Sequence, residues 1–173
     1  MEIQTERLVL RKFNEKDVDR LFELAKNPNV ADTAGWPAHQ NKEESLNTIR
    51  TIFQEDGVFA ISLKDNPDEI IGAISLKNSH EPHSKEIGYW VGEPYWNQGY
   101  ATEALQAIIN HAFGYLHLRT LIARYYDGNF GSQKVMEHNN FSFFKTVVDE
   151  PVLLLNTSKT IHYMKLESQS DAN

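Results

Sequence analysis

The stretch Glu86-Ile87-Gly88-Tyr89-Trp90-Val91-Gly92-Glu93-Pro94-Tyr95-Trp96-Asn97-Gln98-Gly99-Tyr100-Ala101-Thr102-Glu103-Ala104 joins a strand, a tight loop and the start of a helix. The helix is the clearest in the chain: Ala101, Ala104, Leu105, Ile108, Ile109 and Ala112 form one apolar stripe at helical spacing. At its start the backbone N–H groups of Gln98, Gly99, Tyr100, Ala101 and Thr102 have no intrahelical partners and point outward with the positive end of the dipole. That arrangement suits a pyrophosphate. Gly99 has no Cβ and Ala101 only a small side chain, so phosphate oxygens can approach the main chain. The competing reading is a plain loop capped by glycine. No lysine follows at P-loop spacing, and no G-x-G-x-x-G follows a first strand, so nucleotide hydrolysis and dinucleotide binding are poorly supported.

Working outward, Leu8-Val9-Leu10 reads as a strand ending near Phe13. Asn14 caps a helix carrying Val18, Leu21, Phe22 and Ala25, and Asn27-Pro28-Asn29 is expected to stop it. A loop over residues 34–39 precedes a second helix, with Asn41 and Glu44 as a capping pair and Leu46, Ile49 and Phe53 on its apolar face. Residues 58–63 and 70–76 read as a hairpin across Asp65-Asn66-Pro67-Asp68. A strand at 120–126, a short helix at about 129–138 and strands near 141–148 and 160–166 complete the chain. The order β-α-α-β-β-β-α-β-α-β-β implies a mixed sheet flanked by helices.

The 173 residues suit one domain, since most domains run to roughly 100–200 residues. The expectation is a single domain over 1–173, with a core at about 5–166 and a polar tail at 167–173. Seventeen Lys+Arg stand against 24 Asp+Glu, a net charge of −7. The cations are scattered, which disfavours nucleic-acid binding and suits a cationic or amine partner. Zero cysteines remove disulfide scaffolds, thiolate metal sites and a cysteine nucleophile, and fit a reducing cytoplasm. The opening Met1-Glu2-Ile3-Gln4-Thr5-Glu6 lacks the pattern of a signal peptide. No apolar run approaches the ~20 residues that span a bilayer, so no membrane partner is expected. His80 and His83 lack a third ligand, and no metal is expected.

The segment Trp96-Asn97-Gln98-Gly99-Tyr100-Ala101 resembles the acyl-CoA-binding motif (Gln/Arg)-x-x-Gly-x-(Gly/Ala) of the GNAT superfamily of N-acetyltransferases, with Trp96 in place of the usual Gln or Arg. Four further stretches are similar to the ribosomal-protein N-terminal (Rim-type) branch. They are Gly88-Tyr89-Trp90 with Gly99-Tyr100-Ala101-Thr102-Glu103-Ala104, Thr5-Glu6-Arg7-Leu8-Val9-Leu10-Arg11, Gly35-Trp36-Pro37, and Asp127-Gly128-Asn129-Phe130-Gly131-Ser132 followed by Asn139-Asn140-Phe141. The likeness runs from Thr5 to about Leu166. It implies an α+β, GNAT-like single domain: a mixed, mostly antiparallel sheet of about six to seven strands with about four helices.

The resemblance also implies direct acetyl transfer from acetyl-CoA, as co-substrate, to an amine in a ternary complex. The acceptor would be a protein N-terminal α-amine or a small-molecule amine, and the protein a monomer or homodimer. The strand ending at Trp90 and Val91 would splay from its neighbour and pair with the pantetheine arm. Asn129 and Ser132 would contact that arm from the other side, with residues 98–102 on the pyrophosphate. An alkylamine is protonated at neutral pH, so a base is needed. Glu86, on the strand aimed at the thioester, is the first candidate, against a solvated strand-edge role. Glu103 is the alternative, though a dipole-capping role suits its first-turn position better. Many superfamily members place a Tyr seven residues after the Asn matched by Asn129; here that residue is Met136, which leaves Ser132 as the hydroxyl able to approach the sulfur. Trp36 and His39 are candidates for the acceptor pocket. The absent Tyr also allows a catalytically silent acetyl-CoA sensor.

Overall fold

The computed structural model describes residues 1–169. The chain begins with β1 (Ile3–Gln4) and β2 (Leu8–Arg11), whose Leu8 and Leu10 are fully buried. Asn14 accepts from Lys16 N–H while Asp17 reaches back to Asn14 N–H, closing a capping box ahead of α1 (Val18–Ala25). The expected stop at Asn27-Pro28-Asn29 is also a start: α2 (Pro28–Ala34) follows at once. The Asn27 side chain accepts from Asn29 N–H, and Pro28 occupies the first helical position, where no N–H is needed. Residues that cannot continue one helix nucleate the next, so the α-helices among the described residues number five rather than about four. Gly35, at φ +89°, ends α2.

After α3 (Lys42–Arg50) come β3 (Val58–Leu63), β4 (Asn66–Asn78) and β5 (Ser84–Val91). Leu63 pairs with Asn66, so the turn between β3 and β4 is tighter than the four residues expected. Then follow α4 (Tyr100–Asn110), β6 (Thr120–Tyr126), α5 (Phe130–His138), β7 (Ser142–Val152) and β8 (Thr157–Glu167). The eight strands lie in the order β1-β2-β3-β4-β5-β6-β8-β7. The short β1 takes the count past the expected six to seven. The expected tail begins later than residue 167, because Glu167 still pairs with Thr120 and Ser168 N–H donates to the Arg119 carbonyl. Residues 170–173 lie outside the described residues.

Every strand pairing is antiparallel except β5 with β6. That parallel pairing stops at Ile87↔Ala123, while β5 stays paired to β4 as far as Val91 and β6 to β8 as far as Tyr126. A gap therefore opens in mid-sheet between residues 88–91 and 124–126. One face of the sheet packs on α4, burying Leu105 and Ile108 with Ile61, Ile87 and Leu121. The other carries Leu21 and Ala25 of α1 and Ile49 of α3 on Val58, Ala60 and Ile70. Each fully buried Leu or Ile stabilises the fold by about 1.5–3 kcal/mol, so the frame around the gap is well anchored. Among the described residues no helix is long and apolar enough to cross a membrane.

Candidate functional site

The start of α4 is shaped by Gly99, whose φ of +80° lies in the left-handed region that favours glycine. The first helical bond runs from Glu103 N–H to the Gly99 carbonyl at 3.0 Å, and no side chain caps the helix. The N–H groups of Tyr100, Ala101 and Thr102 are thus without intrahelical acceptors at the positive end of the dipole. Arg7, on the turn between β1 and β2, holds this loop from behind. It donates to the Gln98 carbonyl at 2.9 Å, pairs with Glu103 at 3.1 Å and stacks 4.3 Å over the Tyr100 ring. Glu103 is occupied by that contact, and the Gln98 side chain bonds the Pro94 carbonyl.

The gap itself continues from this helix start as a cavity of about 700 Å³. In β5, Gly92 N–H bonds to the Ile71 carbonyl, so by antiparallel alternation the main-chain groups of Tyr89 and Val91 point away from β4 into the gap. The Trp96 indole takes the Val91 carbonyl at 2.7 Å, leaving the Val91 N–H on the gap side. On the facing wall, Asn129 Oδ1 accepts from Ser132 N–H and caps α5, so its amide nitrogen is the half left to meet a ligand. The Ser132 hydroxyl lies 3.0 Å from the Tyr89 hydroxyl. Burial pushes the Tyr89 phenol well above its ordinary pKa, so it is a neutral hydrogen-bonding group.

Alternation along β5 sends Glu86, Gly88 and Trp90 to the opposite face, where a second cavity of about 790 Å³ lies beneath α1 and α3. The Trp90 ring meets Trp36 edge-on at 5.5 Å, and His39 lies beside Trp36 at 5.4 Å. His39 Nδ1 is 2.7 Å from the Ser45 hydroxyl, and burial lowers its pKa, favouring a neutral ring. Glu86 pairs with Arg124 of β6 at 2.7 Å across the end of the parallel pairing. Arg124 in turn reaches Glu150 at 3.6 Å, whose other oxygen accepts from Tyr163. Glu86 is therefore held in the cavity wall rather than solvated at a strand edge. Glu86, Gly88, Tyr89, Trp90, Arg124 and Tyr126 line both cavities, which meet at the gap.

The structure brings Gly99, Tyr100, Ala101, Thr102, Val91, Asn129 and Ser132 around one cavity and Trp36 and His39 around the other, with Glu86 bordering both; Gln98, expected on the first, is outside its lining, because Arg7 holds its carbonyl and its side chain turns to the Pro94 carbonyl. Trp90 borders both, its ring on the second. Sequence reasoning did not single out Arg7, Tyr89, Arg124 or Tyr126. Period-two alternation from Ile87 and Val91 marks Tyr89 as facing α5. Arg7 lies 96 residues from Glu103, and nothing local announces that pairing. Among the described residues no three metal-ligating side chains gather.

A family model described as an acetyltransferase (GNAT) domain matches residues 7–142. The Bacillus subtilis protein described as the uncharacterized N-acetyltransferase YnaD is 34% identical over 140 residues, covering 79% of this chain and 80% of that protein. The Escherichia coli ribosomal-protein-serine acetyltransferase is 32% identical over 144 residues, covering 79% and 80%. The crystal structure of a GNAT-family acetyltransferase from Bacillus anthracis superposes with a TM-score of 0.85 at 25% identity, covering 96% of this chain and 98% of that one.

Proposed function

The chain belongs to the GNAT acetyltransferase family, and on that footing we propose that it moves an acetyl group from acetyl-CoA directly to a primary amine where its two cavities meet. The observation that carries this reading is the uncapped, glycine-led start of α4 opening onto a gap edged by main-chain amides. The N–H groups of Tyr100, Ala101 and Thr102 fit a pyrophosphate, with Gln98 and Gly99 forming the approach. Tyr89 offers strand-like partners to an amide-bearing arm, and the Asn129 amide faces it from α5. Bound there, acetyl-CoA supplies a thioester carbonyl open to attack by an amine.

The chain's own residues divide the remaining work by sheet face. On the face of the second cavity, Glu86 accepts the proton that the ammonium must lose, while Trp36 and His39 border the acceptor. The nitrogen–carbon bond forms in the gap, where the Val91 N–H donates to the developing oxyanion. As the carbon–sulfur bond breaks on the other face, the nitrogen sheds its second proton to solvent, and the Ser132 hydroxyl, held by Tyr89, hydrogen-bonds the departing thiolate, which takes up a proton from solvent. With no cysteine available for an acyl-enzyme, holding both reactants in the gap supplies much of the acceleration. The acceptor is a protein N-terminus or a small-molecule amine, and the absence of cysteine suits work in the cytoplasm.

Ala101→Asp tests the cofactor seat. An acid at the second position of α4 favours the helix by about 0.3–1 kcal/mol, which offsets part of the packing that the half-buried Ala101 gives up against the core, so the variant is expected to fold. The same charge facing a pyrophosphate is expected to weaken acetyl-CoA binding at least about tenfold, since like charges ~4 Å apart repel by several kcal/mol near a protein surface. Calorimetry showing unchanged affinity in the folded variant overturns the assignment.

A further inference from the structure

Resting on that reading, we infer that His162 is a positioning residue for the arm of acetyl-CoA, acting through Asp127 on the loop that carries Asn129. His162 lies on β8, outside the lining of both cavities. It stands directly opposite Tyr125 of β6 on one side and Thr146 of β7 on the other. The three side chains therefore share one face of the sheet, the face that packs on α4 and carries the first cavity. His162 Nε2 is 2.8 Å from an Asp127 carboxylate oxygen, and Nδ1 is 2.8 Å from the Thr146 hydroxyl. A carboxylate can only accept, so Nε2 carries the hydrogen. Nδ1 of the neutral ring then accepts from Thr146, which fixes the orientation of the imidazole. The ring also backs the Tyr125 ring at 5.0 Å.

Both branches of this chain end on the wall of the first cavity. Tyr125 lines it, as do Gly128 and Asn129, which follow Asp127. Packing does little for the loop: Asp127 is 70% exposed, and a Cβ at Gly128 would meet nothing within 4 Å. Hydrogen bonds hold it instead. Asp127 N–H donates to the Thr160 carbonyl and Asn129 N–H to the Tyr126 carbonyl, both at 2.9 Å. Among the described residues, the bond from His162 is the one side-chain hydrogen bond tying residues 127–129 back to the sheet. Asn129 then caps α5 through the oxygen that accepts from Ser132 N–H. A displaced Asp127 thus shifts both the amide that meets the arm and the start of the helix that carries Ser132. The start of α4 is held separately, by Arg7 and by the Asn139 amide on the Thr102 carbonyl at 3.3 Å. Loss of His162 should therefore weaken the hold on the arm and spare the hold on the phosphates.

The test is calorimetry with two ligands: acetyl-CoA, and adenosine 3′,5′-bisphosphate, which carries phosphates without the arm. His162→Leu removes both hydrogen bonds and is expected to weaken acetyl-CoA binding about three- to tenfold, the scale of one hydrogen bond. Affinity for the bisphosphate is expected to stay at that of the parent protein. His162→Gln returns a donor at the reach of Nε2 and is expected to recover most of the lost affinity. Asp127→Ala, at an exposed position, is expected to reproduce the loss, and the double variant to add little to either single one. Unchanged acetyl-CoA affinity in His162→Leu and Asp127→Ala overturns the inference. So does equal weakening of both ligands, or a His162→Gln protein no better than His162→Leu. Should His162→Leu fail to fold, the two affinities of Asp127→Ala decide the matter by themselves. Failure of the parent protein to bind acetyl-CoA overturns the functional reading instead.

Discussion

In the proposed mechanism Glu86 and Ser132 would act from opposite faces of one sheet, and their substitutions are expected to differ accordingly. Glu86→Gln preserves shape and removes the base, so acetyl-CoA affinity is expected to hold while kcat falls by about 10²–10⁴-fold, the usual contribution of a general base. The residual rate is expected to move toward higher pH, where free amine is abundant without help. Ser132→Ala removes a hydrogen bond to a thiolate, which is already a tolerable leaving group because an unperturbed thiol has a pKa of about 8.5. Its cost in rate is expected to be smaller than that of Glu86→Gln. A twofold loss or less at Glu86 with an unmoved pH–rate profile would pass the proton to water. Both residues were legible in the sequence as types at positions. Their division between two faces needed only the alternation along β5. The partners that hold them, Arg124 and Tyr89, were less visible, because cross-strand and strand-to-helix contacts leave no local spacing to read.

At the level of elements, the start of α4 is held by a residue from the opening turn of the chain. Removing Arg7 takes away a bond to the Gln98 carbonyl, a pair with Glu103 and a ring contact with Tyr100 together. Each is individually modest, since an exposed ion pair is worth about 0.2–1 kcal/mol and an exposed cation–π contact about 0.5–1 kcal/mol. Arg7→Ala is therefore expected to leave the fold intact, raise KM for acetyl-CoA several-fold and spare the chemistry once substrate is bound. Saturation kinetics check this, with kcat falling as steeply as kcat/KM as the contrary result. The loop itself could be read from Gly99 and Ala101, because an unpaired helix start is a local property. Its support could not, because Arg7 and Glu103 meet only after the sheet has formed. The same limit explains α2. Asn27-Pro28-Asn29 fits a helix stop and a helix start equally well, and the buried positions of Val30 and Ala31, which favour the second, are settled only by packing.

For the whole molecule, the deciding feature is that a sheet otherwise continuous opens at one place, with a cavity on each side. The sequence order of strands and helices made a mixed sheet legible, but the place where β5 leaves β6 depends on how β4, β8 and α5 hold the two strands apart. Gly88 lies at that opening and borders both cavities. It is not in the left-handed region, and a Cβ there would meet only the Ser75 hydroxyl oxygen, at 3.4 Å. Gly88→Val, which also suits a strand, is therefore expected to fold with an unchanged or higher thermal midpoint. Its side chain projects on the face proposed for the acceptor, into the passage through which an amine would reach the gap. The helix start and the amides of Tyr89 and Val91 lie beyond it, so acetyl-CoA affinity by calorimetry is expected to stay near that of the parent protein. Displacing the nucleophile by about 1 Å costs about 10²-fold in rate, and a loss of that order in kcat/KM for the amine is expected. Full activity in Gly88→Val would mean that the amine does not approach through the second cavity, and the two sides of the sheet would no longer be parts of one site.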